Sequence, residues 1–483
     1  MNCSPRIRRL TSLFLAAAIF LCSNMTTYGQ AAKAPGFRAG AATANITPPL
    51  DELVVGGFSP QPADSVHDEL HVRCLVLDDG TTRLAIVLCD NVGIPREVFD
   101  AAKKQIFEKT GLPIENQLMA ATHTHSAISA RSANSLVYDS QLNDYQRFLA
   151  RRIADGVRIA IKRLEPAKIA WGAVDEPSQL FNRRWYVENE VDRRNPFGGV
   201  DKVRMNPGST GLIKPAGPTD PQMSFVSVQS ASGRPIAILG NYSLHYVGGV
   251  SGNSISGDYF AVFANHLSKL LGATESDPPF VGIMSNGTSG DVNNVNRVER
   301  GPRYEPYQKM REVGQLMASR VIDSLKSANY VDNVTLAAKA EELPLRIRKP
   351  DAGLLKYIDS VLAKPKDEKP FHQHERTYAE RVKQLANSPD EIKIQLQVLR
   401  IGSLGIAAIP FEVFTETGLE IKERSPMKST FTIELANGSY GYLPTPDQHE
   451  LGGYETWLGT NRVEVKASEK IVDRLMAMFD QVK

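Results

Sequence analysis

Beyond residue 22 the 483-residue chain has no apolar run long enough to cross a bilayer as a helix, so no membrane-spanning helix is expected there. Its formal charge is only +2, and its basic residues form no stripe, so no nucleic-acid partner is expected. Cysteine is scarce: four in all, with Cys3 and Cys22 inside the leader described next. Cys74 and Cys89 remain, and an exported chain could pair them. They flank a hairpin turning at Asp78–Gly80, however. A tight turn there sets Cys74 opposite residue 85 rather than Cys89, so two buried thiols are expected. The chain shows no internal repeat.

What is present begins with a leader. Arg6, Arg8 and Arg9 precede an apolar core over Leu10–Cys22, and the polar stretch "SNMTTYGQA" follows, with cleavage after Gly29 or Ala31. Residues 1–31 therefore read as a signal peptide, removed on export to the periplasm or the outside. About 450 residues are left, enough for one large domain or two to three ordinary ones.

Strands and helices alternate along that remainder. "LAIVLCD" (84–90) is a buried strand, "REVFDAAKKQIFEKTG" (96–111) a helix stopped by Gly111, and "NQLMAAT" (116–122) the next strand. "PIAILGNYSL" (235–244), "YFAVFANHLSKLLG" (259–272) and "PFVGIMSN" (279–286) repeat the pattern. A helix at 305–328 carries Val313, Met317, Val321 and Leu325 at steps of four. Strands at 392–401, 404–410 and 430–436 follow, with a helix near 414–424. The expectation is an α/β fold of mixed, largely parallel sheets flanked by helices, with long polar loop insertions. The insertions fall at 185–220 and 346–390, the second holding two exposed helices.

Polar residues cluster just past the carboxyl ends of these strands. "ATHTHSAIS" (121–129) places His123 and His125 after one strand; His245 and Glu412 each follow another, and Tyr440 and Tyr442 together follow the strand at 430–436. In open α/β sheets ligands bind along that edge, so residues far apart in sequence can converge there. Two neutral imidazoles and a carboxylate are a common catalytic zinc set with a position left for water, and a tyrosine oxygen adds a weak ligand or a donor. In a strand-like T-H-T-H the two rings share a face, one to ligate and one to meet substrate. Each residue also has a plain structural reading: a turn histidine, a helix N-terminal carboxylate at Glu412, core packing at Tyr442. Composition and spacing leave that choice open.

Other patterns carry less. "HDELH" (67–71) resembles a damaged H-E-x-x-H, but Leu70, Val72, Cys74 and Val76 alternate, so His71 starts a strand and the rings part. "NGTSGD" (286–291) lacks the spacing of a nucleophile elbow around Ser289. His372 and His374, in charged "KPFHQHERT", read as solvated surface residues.

Taken in order, "ATHTHS", "NYSLH", "SGDVN", "IPFEVFTETG" and "ANGSYGYLPTPDQHELGGYE" resemble the landmarks of the neutral ceramidases. "ANITPP", "VHDELHVRCLVLDDG" and "FNRRW" resemble that family's amino-terminal region, and the likeness runs from about 40 to 465. It implies a single zinc-hydrolase domain over 35–483 that cleaves the N-acyl bond of a small-molecule or lipid substrate, with peripheral membrane contact compatible with that role. By the same resemblance one zinc per chain sits on His123, His245, Glu412 and Tyr442. His125 lies against substrate as a catalytic residue, with Tyr442 stabilising the oxyanion and Arg183 binding substrate. Asn293 stands where the family has a serine linked to catalysis. Phe411 replaces a family glycine and Ser439 a family tyrosine, and the chain stops where full ceramidases continue into a sandwich domain. Asp90 and Asp258, also beyond strands, either orient ligands or cap turns. Two alternatives accompany this reading: a zinc hydrolase for a non-lipid amide or ester, and an exported binding protein that keeps the metal without turnover.

Overall fold

A computed structural model describes residues 36–55, 60–130, 136–299, 301–365 and 367–483; the leader expected over 1–31 lies outside the described residues. Among them the larger sheet has eight strands: β1 (Arg38–Asn45), β2 (His71–Asp78), β3 (Arg83–Cys89), β4 (Gln117–Ala121), β5 (Glu165–Asp175), β6 (Gln222–Ser230), β7 (Pro235–Tyr242) and β8 (Val281–Asn286). Their spatial order is β8-β7-β6-β5-β1-β2-β3-β4. A smaller sheet runs in chain order through β9 (Leu336–Arg346), β10 (Glu391–Ile401), β11 (Leu404–Ile409) and β12 (Ser429–Glu434).

Side-chain alternation dictates the layers. Val72, Cys74 and Val76 on β2 and Ala85, Val87 and Cys89 on β3 pack under α1 (Arg96–Thr110) and α2 (Asp144–Lys162). The intervening Leu75, Leu77, Leu84, Ile86 and Leu88 join Leu399, Ile401, Leu404, Ile406 and Phe431 of the smaller sheet. A period of two thus sets the sheets face to face. Helices α3 (Asp258–Leu270) and α4 (Gln308–Leu325) cover the rest of the larger sheet with Phe263, Leu267 and Met317. The outer face of the smaller sheet lies under α5 (Ala352–Ala363), α6 (Glu375–Ala386), α7 (Thr415–Arg424) and α8 (Ala467–Val482).

The expectation of largely parallel sheets is corrected. Only β3–β4, β7–β8 and β11–β12 are parallel pairs in these two sheets; the other ladders are antiparallel. Each parallel pair is a strand–helix–strand unit visible in the periodicity, crossed by α1, α3 or α7. The other neighbours pair antiparallel, which needs no crossover helix. The β2–β3 turn spans four residues, Asp79–Thr82, because Asp78 pairs with Arg83; Cys74 therefore faces Val87 and not residue 85. Both thiols are free and buried.

Curling of the larger sheet positions the site. Its edge strand β8 comes against β2, β3 and β4, and β12 with the residues after it bridges the two ends. Asn241 on β7 donates to the Thr432 carbonyl at 2.9 Å. Beyond β12, Asn437 N donates to Met119 O at 2.7 Å on β4, while Ala121 N donates to Leu435 O at 3.3 Å. The carboxyl ends of β4, β7, β11 and β12 are thereby drawn together.

The insertion at 185–220 contains a three-stranded ribbon of Arg184–Val187, Val203–Met205 and Leu212–Pro215. The helices of the second insertion, α5 and α6, are not wholly exposed: Ile358 and Val361, and Ala379, Val382 and Leu385, enter the core beneath them. No helix among the described residues is long and apolar enough to cross a membrane.

Candidate metal centre

After β4 the chain turns sharply, and His123 adopts φ 68°, a left-handed conformation uncommon for a side chain with a Cβ. The T-H-T-H segment is therefore not a strand, which corrects the reason given for its rings sharing a face. They converge all the same, with Nε2 of His123 and His125 3.0 Å apart. His245, past β7, brings its Nε2 to 3.1 Å from that of His123. The Glu412 carboxylate lies 3.3 Å from His123 Nε2 and 3.8 Å from His245 Nε2. Glu412–Val413 pairs in parallel with Tyr442–Leu443, which sets Tyr442 beside Glu412. The Tyr442 hydroxyl contacts both Glu412 and Arg183.

The donor set fits a cation. His123 Nδ1 is 2.6 Å from the Val92 carbonyl and His245 Nδ1 is 3.1 Å from the Ser289 carbonyl. A carbonyl only accepts, so in each ring Nδ1 carries the proton and Nε2 presents a lone pair. Burial above all, then His123 and Arg183, hold the His245 pKa well below the ordinary imidazole value and keep that ring neutral. Two lone pairs and a carboxylate oxygen then crowd one point, an arrangement that repels itself unless a positive ion lies between them. Nitrogen, nitrogen and oxygen donors at these separations suit a single metal ion. His125 is close enough to count as a third nitrogen, since its ligand atom and those of His123 and His245 lie within 4.8 Å of one another.

The centre opens into a cleft of about 790 Å³ that Arg183, Tyr246 and Tyr454 also line. Arg183 is buried and fixed, donating to Glu455 at 2.9 Å and to the Gly290 carbonyl at 2.7 Å, with its guanidinium 5.3 Å from the Tyr442 ring centre. Glu455 also accepts from Arg184 at 2.7 Å. Tyr246 stacks on His125, ring centres 3.8 Å apart. Asn293 does not line the cleft; its amide donates at 2.7 Å to Asn206, which does. Tyr440 turns into the core against Phe411.

Asp90 and Asp258 divide as turn-holding groups. Asp90 accepts from Arg73 and from His71 N, and Asp258 accepts from Gly248 N at 2.7 Å and Val247 N at 3.3 Å, closing the loop after His245. In "HDELH", His67 stacks on Tyr307 while His71 faces the Glu69 carbonyl. His372 and His374 are half-buried rather than fully solvated. They line a separate cavity of about 300 Å³ with Trp457, and His372 meets that indole edge-on at 5.2 Å. Burial, then His374, pushes the His372 pKa down to about 4.

One residue escaped the sequence reading. Glu434, fully buried at the end of β12, accepts from Ser289 Oγ at 2.6 Å and from Val413 N at 2.7 Å. Ser289 holds His245 through its carbonyl, and Val413 follows Glu412, so one carboxyl steadies two neighbours of the centre. Its signal was an acid in an alternating apolar strand, "TFTIELA", where an unpaired charge is costly. Burial raises its pKa well above the usual carboxyl value.

Comparison with known proteins agrees with this architecture. A solved ceramidase complexed with C2 superposes over 92% of this chain and 75% of its own, with TM-score 0.68 and 16% identity. Neutral ceramidase from Pseudomonas aeruginosa superposes over 92% and 74%, with TM-score 0.67 and 19% identity. At those identities the likeness is one of fold. In sequence, residues 37–302 match the neutral/alkaline non-lysosomal ceramidase amino-terminal family, which is more than half of the 483 residues. The chain belongs to that family. Neutral ceramidase A of Dictyostelium discoideum is 24% identical over 266 residues, 53% of this chain but 35% of the relative's length. The chain thus spans about a third of that relative.

Proposed function

We propose that this chain is an exported, zinc-dependent amidohydrolase that cleaves an N-acyl amide bond. The convergence of His123, His245 and Glu412 within 3.8 Å carries the reading. These three residues, with Tyr442 beside them, would hold one zinc ion. Bound there, zinc supplies a Lewis acid and brings water to a pKa of roughly 7. The Tyr442 hydroxyl, in contact with Glu412 and Arg183, would donate a hydrogen bond to the amide oxygen as negative charge develops. His125, braced by the Tyr246 ring, delivers a proton to the departing nitrogen. Arg183 locks Tyr442 in place and presents its guanidinium edge to substrate. Asn293 acts through Asn206 on the cleft wall rather than on the reacting atoms. Residues 35–483 act as one ceramidase-like domain, working in the periplasm or outside the cell once the leader is removed.

The test joins metal analysis to an N-acyl amide hydrolysis screen on wild type and Glu412→Gln. Wild type binds one zinc per chain and releases fatty acid, and the variant loses both. Zinc far below one per chain after metal-replete expression would remove the basis of the proposal.

A further inference from the structure

The cavity of about 300 Å³ that holds His372 lies next to the metal cleft. Met205 and Tyr454 line both spaces, so the two share a wall. Tyr454 packs edge-on against Tyr442 on the metal side and against Trp457 on the other, with ring centres 5.8 Å apart in each pair. Val203 and Phe371 add to the apolar lining. None of the groups proposed to act on an amide lies in this second cavity.

Its polar groups divide unevenly. Both lining carboxylates are engaged. One Asp201 oxygen accepts from Gly453 N at 2.8 Å and from Trp457 Nε1 at 2.7 Å, and the other from Asn195 Nδ2 at 2.9 Å. Asp192 accepts from Arg204 at 2.6 Å and from Asn189 at 3.2 Å. Three donors are less well served. Arg193 gives one N–H to the Asp201 carbonyl at 2.9 Å, while its enclosed Nε has no acceptor. Arg194 rests over the Phe371 ring, 4.8 Å from its centre, and forms no ion pair with a described carboxylate. A ring face holds a guanidinium in place but is no match for its fork of N–H groups. His372 Nδ1 accepts from His374 N at 3.2 Å, so in the neutral ring the proton sits on Nε2, for which no described residue supplies an acceptor.

What is missing is an acceptor, and a strong one. Guanidinium groups bind carboxylate and phosphate oxygens through charge-assisted hydrogen bonds, and a neutral imidazole N–H can add a further donor. The volume falls at the lower end for small-ligand sites, room for an oxyanion and several carbon atoms. We infer that this cavity is a binding site for a small organic acid, a phosphate ester or carboxylate with an apolar body: Arg193, Arg194 and His372 hold the oxyanion, and Met205, Val203 and Trp457 take the hydrocarbon part. Such an acid has two sources, a free metabolite or the far end of a substrate whose amide lies in the neighbouring cleft.

The test is calorimetric titration of the zinc-loaded chain with phenyl phosphate and with benzyl alcohol, its uncharged counterpart. Phenyl phosphate should bind at least about tenfold more tightly. Because phosphate can also meet zinc, the titration is repeated after treatment with EDTA, and the preference should persist. Arg194→Gln and His372→Phe should each weaken phenyl phosphate about fivefold to tenfold. Lys214→Gln should leave it unchanged, since Lys214 rests on Tyr186 and does not line the cavity. Equal affinity for the alcohol, or no binding of either compound, overturns the inference. So does phenyl phosphate binding that vanishes with zinc and ignores both substitutions, which would put the anion on the metal. Should a substitution misfold, the preference of the EDTA-treated wild type decides. The phosphate ester of N-lauroyl-6-aminohexanol then identifies the source. Displacement of phenyl phosphate by it points to the substrate's far end, and binding of both together to a free acid; either outcome supports the site.

Discussion

Nε2 of His123 and Nε2 of His245 face each other at 3.1 Å, although 122 residues separate them in the chain. Each ring is oriented from behind by a main-chain carbonyl, Val92 for one and Ser289 for the other. Neither ring can turn to relieve the confrontation without losing that bond. The site is thus built at some cost to the metal-free fold, which a cation binding between the rings would offset.

Zinc should therefore stabilise the protein measurably. At about 100 times its Kd, a ligand bound only by the folded state contributes ~2.7 kcal/mol. Thermal denaturation with and without zinc should show Tm rising by several degrees in wild type, with His245→Ala losing most of that rise. A wild-type Tm indifferent to zinc would contradict the assignment.

Tyr442→Phe separates positioning from chemistry. The phenol contacts Glu412 and Arg183 and faces the cleft, but it is a weaker ligand than the imidazoles. Removing one oxyanion donor costs about a hundredfold to a thousandfold in kcat. The variant should retain zinc and a KM within a few-fold of wild type on whichever amide the screen identifies. A parallel loss of zinc would make Tyr442 chiefly a ligand.

Much of this was legible from periodicity. The strand–helix–strand units around α1 and α3 could be read because apolar residues recur at helical spacing between two buried runs. The strand ends that carry His123, His245, Glu412 and Tyr442 followed from them. What sequence could not show was the curl of the larger sheet, which turns β4 and β7, six places apart in the strand order, into neighbours around β12. Strand direction was misjudged because β1, β5, β6 and β9, which all pair antiparallel, were not among the strands read from periodicity. His123 was placed on a strand because nothing local announces a left-handed histidine; its conformation is imposed by the hydrogen bond from its N–H to Asn91 O at 3.0 Å. Glu434 went unread because its partners, Ser289 and Val413, lie on other segments.

That buried glutamate yields a stability prediction. Glu434→Ala strips an acceptor from the Ser289 hydroxyl and another from Val413 N, both enclosed. Orphaned buried donors cost about 1–3 kcal/mol each, so chemical denaturation should show a loss of about 2–6 kcal/mol. Zinc affinity should fall about tenfold to a hundredfold through loosened neighbours of His245 and Glu412. Glu434→Gln keeps the shape and should lose less of both. Equal effects of the two substitutions would show that the acceptor oxygens are not what matters.

Lys103 sets a pH dependence remote from the metal. It lies on α1, 1% exposed, with its ammonium donating to Asn437 at 2.8 Å and Gln395 at 3.0 Å. Burial lowers its pKa from 10.5 to about 7. Between those values the folded chain binds fewer protons at this group than the unfolded chain, so its contribution to stability rises with pH. Below about pH 7 both states are protonated and the cost of burying the charge is fully present. The slope within the window approaches ~1.4 kcal/mol per pH unit. Urea unfolding of wild type and Lys103→Met from pH 6 to 10 should show the variant most favoured, relative to wild type, at the acid end and losing ground as pH climbs. Parallel curves would mean that Lys103 keeps its proton in the folded protein throughout, held by Asn437 and Gln395 against the cost of burial.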